Sequence, residues 1–407
     1  MNKVIVSGVG CCLVDRIYDH IDFTSEAFSR VMSRKPGDGG LEPGKLEFEE
    51  EVERFTGKKF SDLLPTLTGG RQADKENIGG PCIVALIHAA QLAQESAEVR
   101  FYGCRGEDEV GEHLLAALRR TPVSLSHYRT QPQAETASTV VLSDPDYDGG
   151  HGERTFVNTI GASWHYLPEE LDDSFCDADI CVFGGTAIVP RIHEGLTEML
   201  QAAKAHGALT VVNTVYDSLS ERKNPGGRWP LGRSDESYAL TDLLIVDKEE
   251  ALRLSGQTGI PQAVQFFIEK GAKAVLVTNG SRDVYLSAAG GVFGDIPLTT
   301  MPVSRAVTEE IMRGHKGDST GCGDNFAGGA IASLCMQMSL SPDSSQGEGD
   351  RMADGRCLDL REACRWGIVS GGYACFYYGG TYFETRPGEK MQLIRPLYEQ
   401  YLEQTKL

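Results

Sequence analysis

Short apolar runs alternate with helical patterns along most of this chain, and this rhythm limits its fold more than any other feature. The pattern predicts strands at 3–8, 99–103, 180–183, 209–212, 243–246 and 274–278. Helical patterns lie between them at 81–94, 110–120 and 191–206. Continuous runs of Val, Ile and Leu bounded by helices are typical of parallel strands that are covered on both faces. We therefore expect an α/β fold around a mostly parallel central sheet.

Two stretches depart from this rhythm. Residues 15–77 are long, polar and rich in Gly and Pro, with an acidic helical pattern at 46–55. Residues 136–142 and 154–158 alternate between apolar and polar side chains, as antiparallel strands do. We expect these stretches to form a small sheet that emerges from the main domain. The polar residues 339–354 are expected to form a mobile loop.

Composition excludes several classes of protein. The 407 residues are enough for one large α/β domain with additions or for two domains, and 41% of them are hydrophobic. The net charge is −19 and Lys and Arg form no long cluster, so we expect no nucleic-acid partner. The sequence contains neither a run of about 18 apolar residues nor an apolar signal-peptide core. We expect a cytoplasmic protein without a membrane partner.

The eleven cysteines do not form a pattern typical of disulfides or of a metal site. Their number is odd, they are scattered, and no two of them have C-x-x-C spacing. Several lie in apolar runs, as Cys181 and Cys375 do. We expect reduced thiols packed in the core. The adjacent Cys11 and Cys12 are a possible exception to this interpretation, although core packing is favoured for them too.

A glycine-rich turn carries the strongest chemical signal. The turn Gly321-Cys322-Gly323 runs directly into a buried helical pattern at 325–336, and Asp324 stands at the junction. Glycines let backbone N–H groups point together at an anion, and the following helix adds the positive end of its dipole. An acid at this place can accept a proton while the amides hold negative charge, as phosphoryl transfer requires. The same Asp also fits a simple helix N-cap, so the turn alone leaves both roles open.

Two other glycine-rich runs resemble nucleotide-binding motifs but lack residues that those motifs require. The run from Gly8 to Leu13 follows a strand, but its last position is Leu and no helical pattern comes after it, which argues against a dinucleotide fingerprint. The run from Gly39 to Lys45 lacks both a preceding strand and the Ser or Thr that a Walker loop uses to hold Mg²⁺. We reject both motifs, although the first keeps a nicotinamide oxidoreductase as an alternative.

The string from Asp318 to Asp324, D-S-T-G-C-G-D, resembles the second signature D-T-x-G-A-G-D of the ribokinase-like (PfkB-type) carbohydrate and nucleoside kinases. It departs only in Ser319 and Cys322, both small, and Cys322 still offers its backbone N–H. The resemblance implies a ribokinase-like three-layer α/β/α sandwich with a mostly parallel central sheet and a small β lid. It also implies a single kinase domain over 1–407, with lid segments inserted at about 15–77 and 134–162.

The same resemblance covers most of the chain and implies a set of site residues. These are Asp324, Gly321, Cys322 and Gly323 for catalysis, Asp15, Gly79 and Gly80 for the substrate, Thr278, Gly280 and Thr320 for the nucleotide, and Glu250 and Asp247 for the metal. From the residues alone, other roles stay open. Asp15 can cap a turn, Gly79-Gly80 can form a simple helix entry, and Glu250 can complement a helix dipole.

The chain departs from the family pattern on the substrate and metal sides. Val84 stands where the family has an Asn after the two glycines, and Asp247 replaces the Asn of N-x-x-E. The family's D-x-N-x-R pattern is matched only loosely by Asn213-Thr214-Val215. The anion-binding turn is not affected by these differences. The resemblance therefore supports the kinase chemistry better than it identifies the substrate.

The function implied by the resemblance is ATP-dependent transfer of the γ-phosphoryl group to a hydroxyl of a sugar or sugar-containing small molecule, with Asp324 as general base. ATP and Mg²⁺ are the expected cofactors, and a monovalent cation can add to them. A non-catalytic nucleotide- or sugar-binding protein on the same fold is the alternative. An exposed edge of the lid sheet can pair with a second copy, so a homodimer is also expected.

Overall fold

The computed structural model describes residues 3–35, 37–150, 152–314, 317–340 and 357–406. Its strands are β1 (Val4–Val9), β2 (Leu13–Tyr18), β3 (Leu46–Phe48), β4 (Lys75–Gly79), β5 (Ala97–Gly106), β6 (Ser124–Gln131), β7 (Ser138–Asp144), β8 (Glu153–Thr159), β9 (Ile180–Gly184), β10 (Leu209–Asn213), β11 (Leu243–Asp247), β12 (Ala274–Asn279), β13 (Arg282–Ala289) and β14 (Asp295–Met301). The predicted strands at 3–8, 99–103, 180–183, 209–212, 243–246 and 274–278 are all confirmed as parts of these elements.

Helices connect the strands. They are α1 (Glu26–Ser29), α2 (Glu49–Thr56), α3 (Phe60–Thr68), α4 (Pro81–Ala93), α5 (Glu109–Leu118), α6 (Tyr147–Gly150), α7 (Pro190–Glu194), α8 (Leu196–Ala205), α9 (Ser218–Lys223), α10 (Glu236–Ala239), α11 (Lys248–Ser255), α12 (Ile260–Glu269), α13 (Arg305–Met312), α14 (Cys322–Ser339), α15 (Leu360–Ala374) and α16 (Glu389–Thr405). Short 3₁₀ helices lie at Gln94–Ser96, Gly161–His165, Pro168–Glu170, Asp173–Phe175, Thr186–Ile188 and Gly291–Phe293.

Nine strands of the described chain form the larger sheet, in the order β14-β13-β12-β11-β10-β9-β1-β5-β6. All neighbours from β12 to β6 are parallel, whereas β13 and β14 continue the sheet in antiparallel fashion. The expected mostly parallel central sheet is therefore confirmed. The antiparallel edge follows from the short connections between β12, β13 and β14, because parallel neighbours need a long crossover.

Helices cover both faces of this sheet and give the molecule three layers. Val182 and Val211 belong to one apolar core with residues of α4, α14 and α15. Their chain neighbours Cys181 and Val212 belong to a second core with residues of α8, α11 and α12. Since successive side chains of a strand point to opposite faces, these contacts show that both faces of the sheet are buried. This burial explains why the strands are continuous apolar runs in the sequence.

The central helix α14 lies between α4 and α15 because glycines let the three backbones approach. A Cβ atom on Gly328 would lie 2.5 Å from the Ala85 carbonyl oxygen. A Cβ atom on Gly329 would clash with the Ser370 side chain of α15. This close packing fixes α14, and with it the turn at the N-terminus of the helix.

Five further strands form a second sheet, in the order β3-β8-β7-β2-β4. The strands predicted at 136–142 and 154–158 are confirmed as parts of β7 and β8, and the structure pairs these two strands in antiparallel fashion. One face of the sheet carries Tyr18, Leu142 and Val157, which form a third apolar core with Phe23 and Phe28 of the long insertion. The insertion therefore covers the outer face of this sheet.

Several expected details need correction. The predicted helix at 191–206 is two helices, α7 and α8, which meet at Gly195, where a Cβ atom would lie 2.6 Å from Pro168. The acidic helix predicted at 46–55 begins as strand β3 and becomes α2 at Glu49. Of the predicted loop at 339–354, residues 341–354 lie outside the described residues, while Ser339 ends α14.

The thiols are free, as expected, but they are not all in the core. Cys11 and Cys12 are both buried and unbridged, so the adjacent pair is an ordinary part of the core. Among the described cysteines seven are buried, while Cys176, Cys322 and Cys375 are partly exposed and Cys357 is exposed. Among the described residues, no helix is both long enough and apolar enough to cross a bilayer.

Candidate active site

The glycine-rich turn leads into α14 through a left-handed residue. Gly321 is the N-cap of the helix with φ 72°, and a Cβ atom there would lie 2.5 Å from the Gly380 Cα. Glycine is therefore required at this position by its dihedral angle and by the close approach of a second chain segment. Gly323 differs, since a Cβ atom on it would meet no atom within 4 Å. The helix N-terminus is thus open on the side of Gly323.

Backbone N–H groups at this turn are available to a ligand. The N–H groups of Gly321, Gly323 and Asp324 have no hydrogen-bond acceptor among the described residues. The Cys322 N–H donates to the Ser319 carbonyl oxygen at 3.3 Å, a long and therefore weak bond. Unpaired amides at the positive end of a long helix form a ready site for an anion.

Asp324 stands beside these amides and opens on a cavity of about 110 Å³. The cavity is lined by Asn213, Thr214, Val215, Ile245, Val246, Asp247, Glu250, Thr278, Gly323 and Asp324. The Asp324 side chain is half-buried, because it faces the cavity and is otherwise surrounded by protein. Burial raises the pKa of its carboxyl to about 7. A carboxylate with this pKa can exchange a proton near neutral pH.

Asp15 lies near Asp324, although the two are far apart in the chain. Asp15 belongs to β2 and is buried. Burial, followed by the negative charges of Asp324 and Asp318, raises its pKa to about 7, while a hydrogen bond with Thr139 opposes this change. The charge of Asp324 therefore disfavours ionisation of Asp15.

Close approaches of neighbouring atoms require glycine at both Gly79 and Gly80, which the resemblance assigns to the substrate site. A Cβ atom on Gly79 would clash with the Asp15 carboxylate, and one on Gly80 would lie 2.5 Å from the Cys11 carbonyl oxygen. Gly80 has φ 110° and is the N-cap of α4. Gly79 thus leaves room for the Asp15 carboxylate, and Gly80 makes the bend between β4 and α4. Val84, in place of the expected Asn, is buried in the core on α4 and offers no polar contact.

A row of polar side chains crosses the inner face of the five-stranded sheet at Asp15. In the strand register Asn77, Asp15, Thr139 and Asn158 are successive neighbours across β4, β2, β7 and β8. Asn158 Nδ2 donates to Thr139 Oγ1 at 2.9 Å. Asn77 Nδ2 donates to the carbonyl oxygens of Tyr378 and Thr381 at 2.8 and 3.1 Å. This face of the sheet is therefore polar and turned toward the body of the protein.

Arg154 connects the second sheet to the glycine-rich turn. Its guanidinium donates to the hydroxyl oxygens of Ser319 and Thr320 and lies 3.8 Å from Asp318. The side chain is 18% exposed. Sequence reasoning placed Arg154 only in a segment similar to the lid. Its role was missed because the contact joins residues more than 160 positions apart, which no local pattern shows.

Lys390 is a second residue that the sequence did not indicate. It is 1% exposed, and its Nζ donates to Asn325 Oδ1 at 3.1 Å and to the Tyr377 hydroxyl oxygen at 3.4 Å. Burial lowers the pKa of Lys390 well below its usual value. Asn325 Nδ2 in turn donates to the Gly321 and Gly380 carbonyl oxygens, both at 2.8 Å. Lys390 therefore supports the turn through Asn325.

The two predicted metal residues form a capping box at the start of α11. Glu250 N donates to Asp247 Oδ1 at 2.8 Å, and Asp247 N donates to Glu250 Oε2 at 2.9 Å. Thr214 Oγ1 also donates to Glu250 Oε2, at 2.6 Å. Burial, followed by the charge of Asp247, raises the pKa of Glu250 to about 8. Both acids cap the helix and line the cavity, so the structural and functional interpretations of Glu250 are compatible.

The predicted nucleotide residues are not all at one place. Thr278 is the penultimate residue of β12 and lines the same cavity as Asp324. Gly280 lies in the following turn with φ 59°, and a Cβ atom on it would meet nothing within 4 Å. Thr320 does not line this cavity, and its hydroxyl oxygen accepts from Arg154. The structure thus brings Asp324, Glu250, Asp247 and Thr278 together around one cavity, whereas Gly280 and Thr320 are not among the residues that line it.

A family comparison agrees with this geometry. The profile of the family described as pfkB family carbohydrate kinase matches residues 72–342, more than half of the chain. The chain belongs to the PfkB family of carbohydrate kinases. The resemblance drawn from the signature at Asp318–Asp324 is thereby confirmed.

Other proteins and their solved structures are similar to this PfkB-family protein. A ribokinase from Haemophilus influenzae is 24% identical over 289 residues, which are 69% of this chain and 81% of that protein. The structure of adenosine kinase from Schistosoma mansoni in complex with 2-fluoroadenosine superposes with a TM-score of 0.67 and 15% identity, covering 93% of this chain and 97% of that one.

A third likeness is a putative ribokinase II from E. coli in complex with ATP and Mg²⁺. Its TM-score is 0.62 with 16% identity, and the match covers 99% of this chain and 100% of that one. Likenesses at such low identity show the fold, and they confirm the ribokinase-like three-layer α/β/α architecture.

Proposed function

We propose that this protein transfers the γ-phosphoryl group of ATP to a hydroxyl group of a sugar or sugar-containing small molecule. Membership of the PfkB family supports a kinase of this general kind. One observation carries the specific proposal: the Asp324 carboxyl, with its pKa raised to about 7 by burial, stands beside unpaired amides at the start of an 18-residue helix. Base and anion site are therefore adjacent.

Asp324 acts as the general base. Its carboxylate oxygen accepts the proton of the attacking hydroxyl, the hydroxyl oxygen bonds to the γ-phosphorus, and the bond from that phosphorus to the bridging oxygen of ADP breaks. A raised pKa makes the Asp324 carboxylate a stronger base, so that it takes the hydroxyl proton more readily at neutral pH. Assistance of this kind is typically worth roughly 10²–10⁴ in rate.

The turn stabilises the charge that grows on the transferring group. The N–H groups of Gly321, Cys322 and Gly323 point at the γ-phosphoryl oxygens, and Cys322 exchanges its weak bond to Ser319 for this contact. Each strong donor of this type contributes about 3–4 kcal/mol in the transition state. Arg154 adds a positive charge above the same turn when the five-stranded sheet lies over the site. This arrangement also excludes water, which would otherwise hydrolyse ATP.

The polar row on the inner face of the five-stranded sheet binds the acceptor. Asp15 accepts a hydrogen bond from one acceptor hydroxyl, and Thr139 and Asn158 offer further polar atoms at the same depth. Several polar side chains in one row suit a small molecule with several hydroxyl groups. Val84 removes one contact that the family pattern includes, so the acceptor is held mainly from the sheet side.

The cavity fits a divalent ion held through water. The carboxylates of Asp247 and Glu250 and the Asn213 Oδ1 atom, which is buried without a partner among the described residues, give an oxygen-only donor set of the kind that Mg²⁺ prefers. The described residues contain no cluster of three or more His, Cys, Asp or Glu side chains suited to direct metal binding. A bound Mg²⁺ would neutralise charge on the ATP phosphates. Thr278, Gly280 and Thr320 would contact the nucleotide.

The whole of 1–407 is proposed to act as one kinase domain, with the segments at about 15–77 and 134–162 as its lid. Gly79 and Gly80 allow the lid to move relative to α4. Strands β3 and β4 are the edges of the lid sheet, and an exposed edge can pair with the same edge of a second copy. A homodimer through the lid is therefore part of the proposal.

The proposal is tested by coupled ADP release with Mg²⁺ and ATP, across a panel of sugars, sugar phosphates and nucleosides, with and without potassium. We expect at least one acceptor to give turnover that disappears in Asp324→Asn and persists in the control Asp62→Asn, which removes an exposed acid on α3. ATP that raises the melting temperature without any acceptor turnover would instead support the non-catalytic binding protein.

A further inference from the structure

Two thiols meet at the catalytic turn. The Sγ atoms of Cys322 and Cys375 lie 3.4 Å apart, although the residues are 53 positions apart in the chain. Cys322 is the first residue of α14, and Cys375 is the C-cap of α15. Both residues are partly exposed. The family signature has Ala in place of Cys322, so the anion site does not need this thiol.

The backbones around the pair are already in contact. Gly317 N donates to the Cys375 carbonyl oxygen at 2.7 Å. A Cβ atom on Gly371 would lie 2.9 Å from the Cys322 carbonyl oxygen. Both ends of a Cys322–Cys375 bond would therefore belong to segments that are held together before any bond forms. A disulfide requires an S–S distance of about 2.05 Å, so the two sulfur atoms must approach by a little over 1 Å.

We propose that Cys322 and Cys375 are an oxidation site, where a two-electron oxidant such as hydrogen peroxide forms a disulfide that reversibly lowers the activity of the catalytic turn. The Cys375 thiolate attacks a peroxide oxygen, the O–O bond breaks, and a sulfenic acid and one water form. The Cys322 sulfur then attacks the Cys375 sulfur, the S–O bond breaks, and a second water leaves. Two thiols are oxidised and one peroxide is reduced to two waters.

The surroundings favour Cys375 as the first thiol to react. The hydrogen bond from Cys322 lowers the pKa of the Cys375 thiol, although burial opposes this change. Of the charged groups that face the pair, Arg154 also favours the thiolate and Asp318 disfavours it. The thiolate is the form that attacks peroxide. Cys322 then lies in place as the resolving thiol.

The bond would act on catalysis because Cys322 supplies one of the amides of the turn. Pulling its side chain toward α15 displaces the N-terminus of α14 and the adjacent Asp324. Catalytic groups lose much of their effect when they move by about 1 Å. The effect on turnover rests on the proposed function, whereas formation of the bond does not.

The full-length protein is treated with hydrogen peroxide in slight molar excess, and the intact mass, the peptide map and ADP release are then measured. We expect a cross-linked Cys322–Cys375 peptide and a loss of activity of about tenfold or more. Dithiothreitol should reverse both changes. Cys375→Ser should form no cross-link and keep its activity after peroxide. The matched control Cys357→Ser, which removes an exposed thiol elsewhere, should behave as the wild type does.

Two results would overturn the proposal. One is peroxide treatment that leaves Cys322 and Cys375 unlinked in the peptide map. The other is a complete cross-link with unchanged ADP release. If the untreated protein phosphorylates no acceptor, the proposed function fails separately, and the mass measurement still decides whether the oxidation site exists.

Discussion

The two sheets of this protein present polar groups in different ways. In the nine-stranded sheet, the central strands are buried on both faces, and the polar residues of the site stand at strand ends, as Asp247 and Thr278 do. In the five-stranded sheet, one face packs against the insertion, and the other carries Asp15 and Asn77 in mid-strand. In the larger sheet, polar site residues lie where strands end. In the smaller sheet, they lie on one face of the strands.

Because of this difference, we expect substitutions in the two regions to affect different properties, stability in one and turnover in the other. The larger sheet and its helices tolerate little change in volume, because their side chains are enclosed on all sides. The smaller sheet can lose a polar side chain on its inner face and keep its apolar outer core. Substitutions in the first region should therefore act mainly on folding, and those on the inner face of the second mainly on turnover.

Among changes to the smaller sheet, the largest effect is expected at Arg154, on its inner face. Arg154→Ala removes the charge that contacts Ser319 and Thr320, and kcat/KM should fall by about 10²-fold. The control Arg16→Ala removes an arginine from the same sheet, where it pairs with Glu76 at 3.3 Å. Steady-state kinetics on both variants tests the difference between the faces. Equal losses of kcat/KM in the two variants would show that the inner face of the sheet is no more important for turnover than the outer face.

The next largest effect is expected in the larger region, at Gly328. Gly328→Ala places a methyl group against the Ala85 carbonyl oxygen, and the free energy of unfolding should fall by about 1–3 kcal/mol. Gly323→Ala, in the same helix, adds a methyl group that meets no atom within 4 Å and should leave the unfolding free energy nearly unchanged. Urea denaturation measures both. A stable Gly328→Ala variant would contradict the close packing of α14 against α4.

Acid should reduce turnover by protonating Asp324. Burial raises the pKa of Asp324 to about 7, and the base works only when deprotonated, so kcat/KM should fall about tenfold for each pH unit below 7. The pH–rate profile of the wild type checks this. A profile that stays flat down to pH 5 would contradict the assignment of Asp324 as base.

The same shift has an opposite consequence for stability. A raised carboxyl pKa means that the folded protein holds a proton that the unfolded chain releases, so this contribution to stability is present below about pH 4 and is lost as the pH rises through 7. Asp324→Asn should therefore melt at a higher temperature than the wild type at pH 8. The gap should close toward pH 4, as thermal unfolding at both pH values would show.

A smaller effect is expected within the polar row. Thr139→Val removes the hydroxyl that joins Asn158 to Asp15, so the KM for the acceptor should rise several-fold with a smaller change in kcat. Thr300→Val makes the same substitution at an exposed position of β14, at the edge of the larger sheet, and should leave both constants unchanged. Similar values of KM and kcat in the two variants would show that the polar row is not part of the acceptor site.

Much of the larger region could be predicted from the sequence. Runs such as 180–183 and 209–212 are apolar throughout because both faces of their strands are buried, and that pattern is local. The turn from Gly321 to Asp324 could be predicted as well, since it is contiguous in the chain. The break at Gly195 could not, because it depends on contact with Pro168 of a distant segment.

The assembly of the site was much harder to predict. Alternation in 136–142 and 154–158 indicated strands, but it did not show which strands are neighbours, and so the polar row stayed hidden. Arg154 and Lys390 act through partners far along the chain, and an isolated Arg or Lys carries no periodic signal. Asp247 and Glu250 could be expected to contribute charge, while their capping box depends on where β11 ends.

The central claim is that Asp324 takes the proton of an acceptor hydroxyl during phosphoryl transfer. The most direct test is the single-turnover transfer of label from radiolabelled ATP to an acceptor, with ATP binding measured in parallel by calorimetry. We expect Asp324→Asn to bind ATP with nearly the wild-type affinity and to transfer phosphate roughly 10²–10⁴ times more slowly. Transfer at the wild-type rate by Asp324→Asn would contradict it.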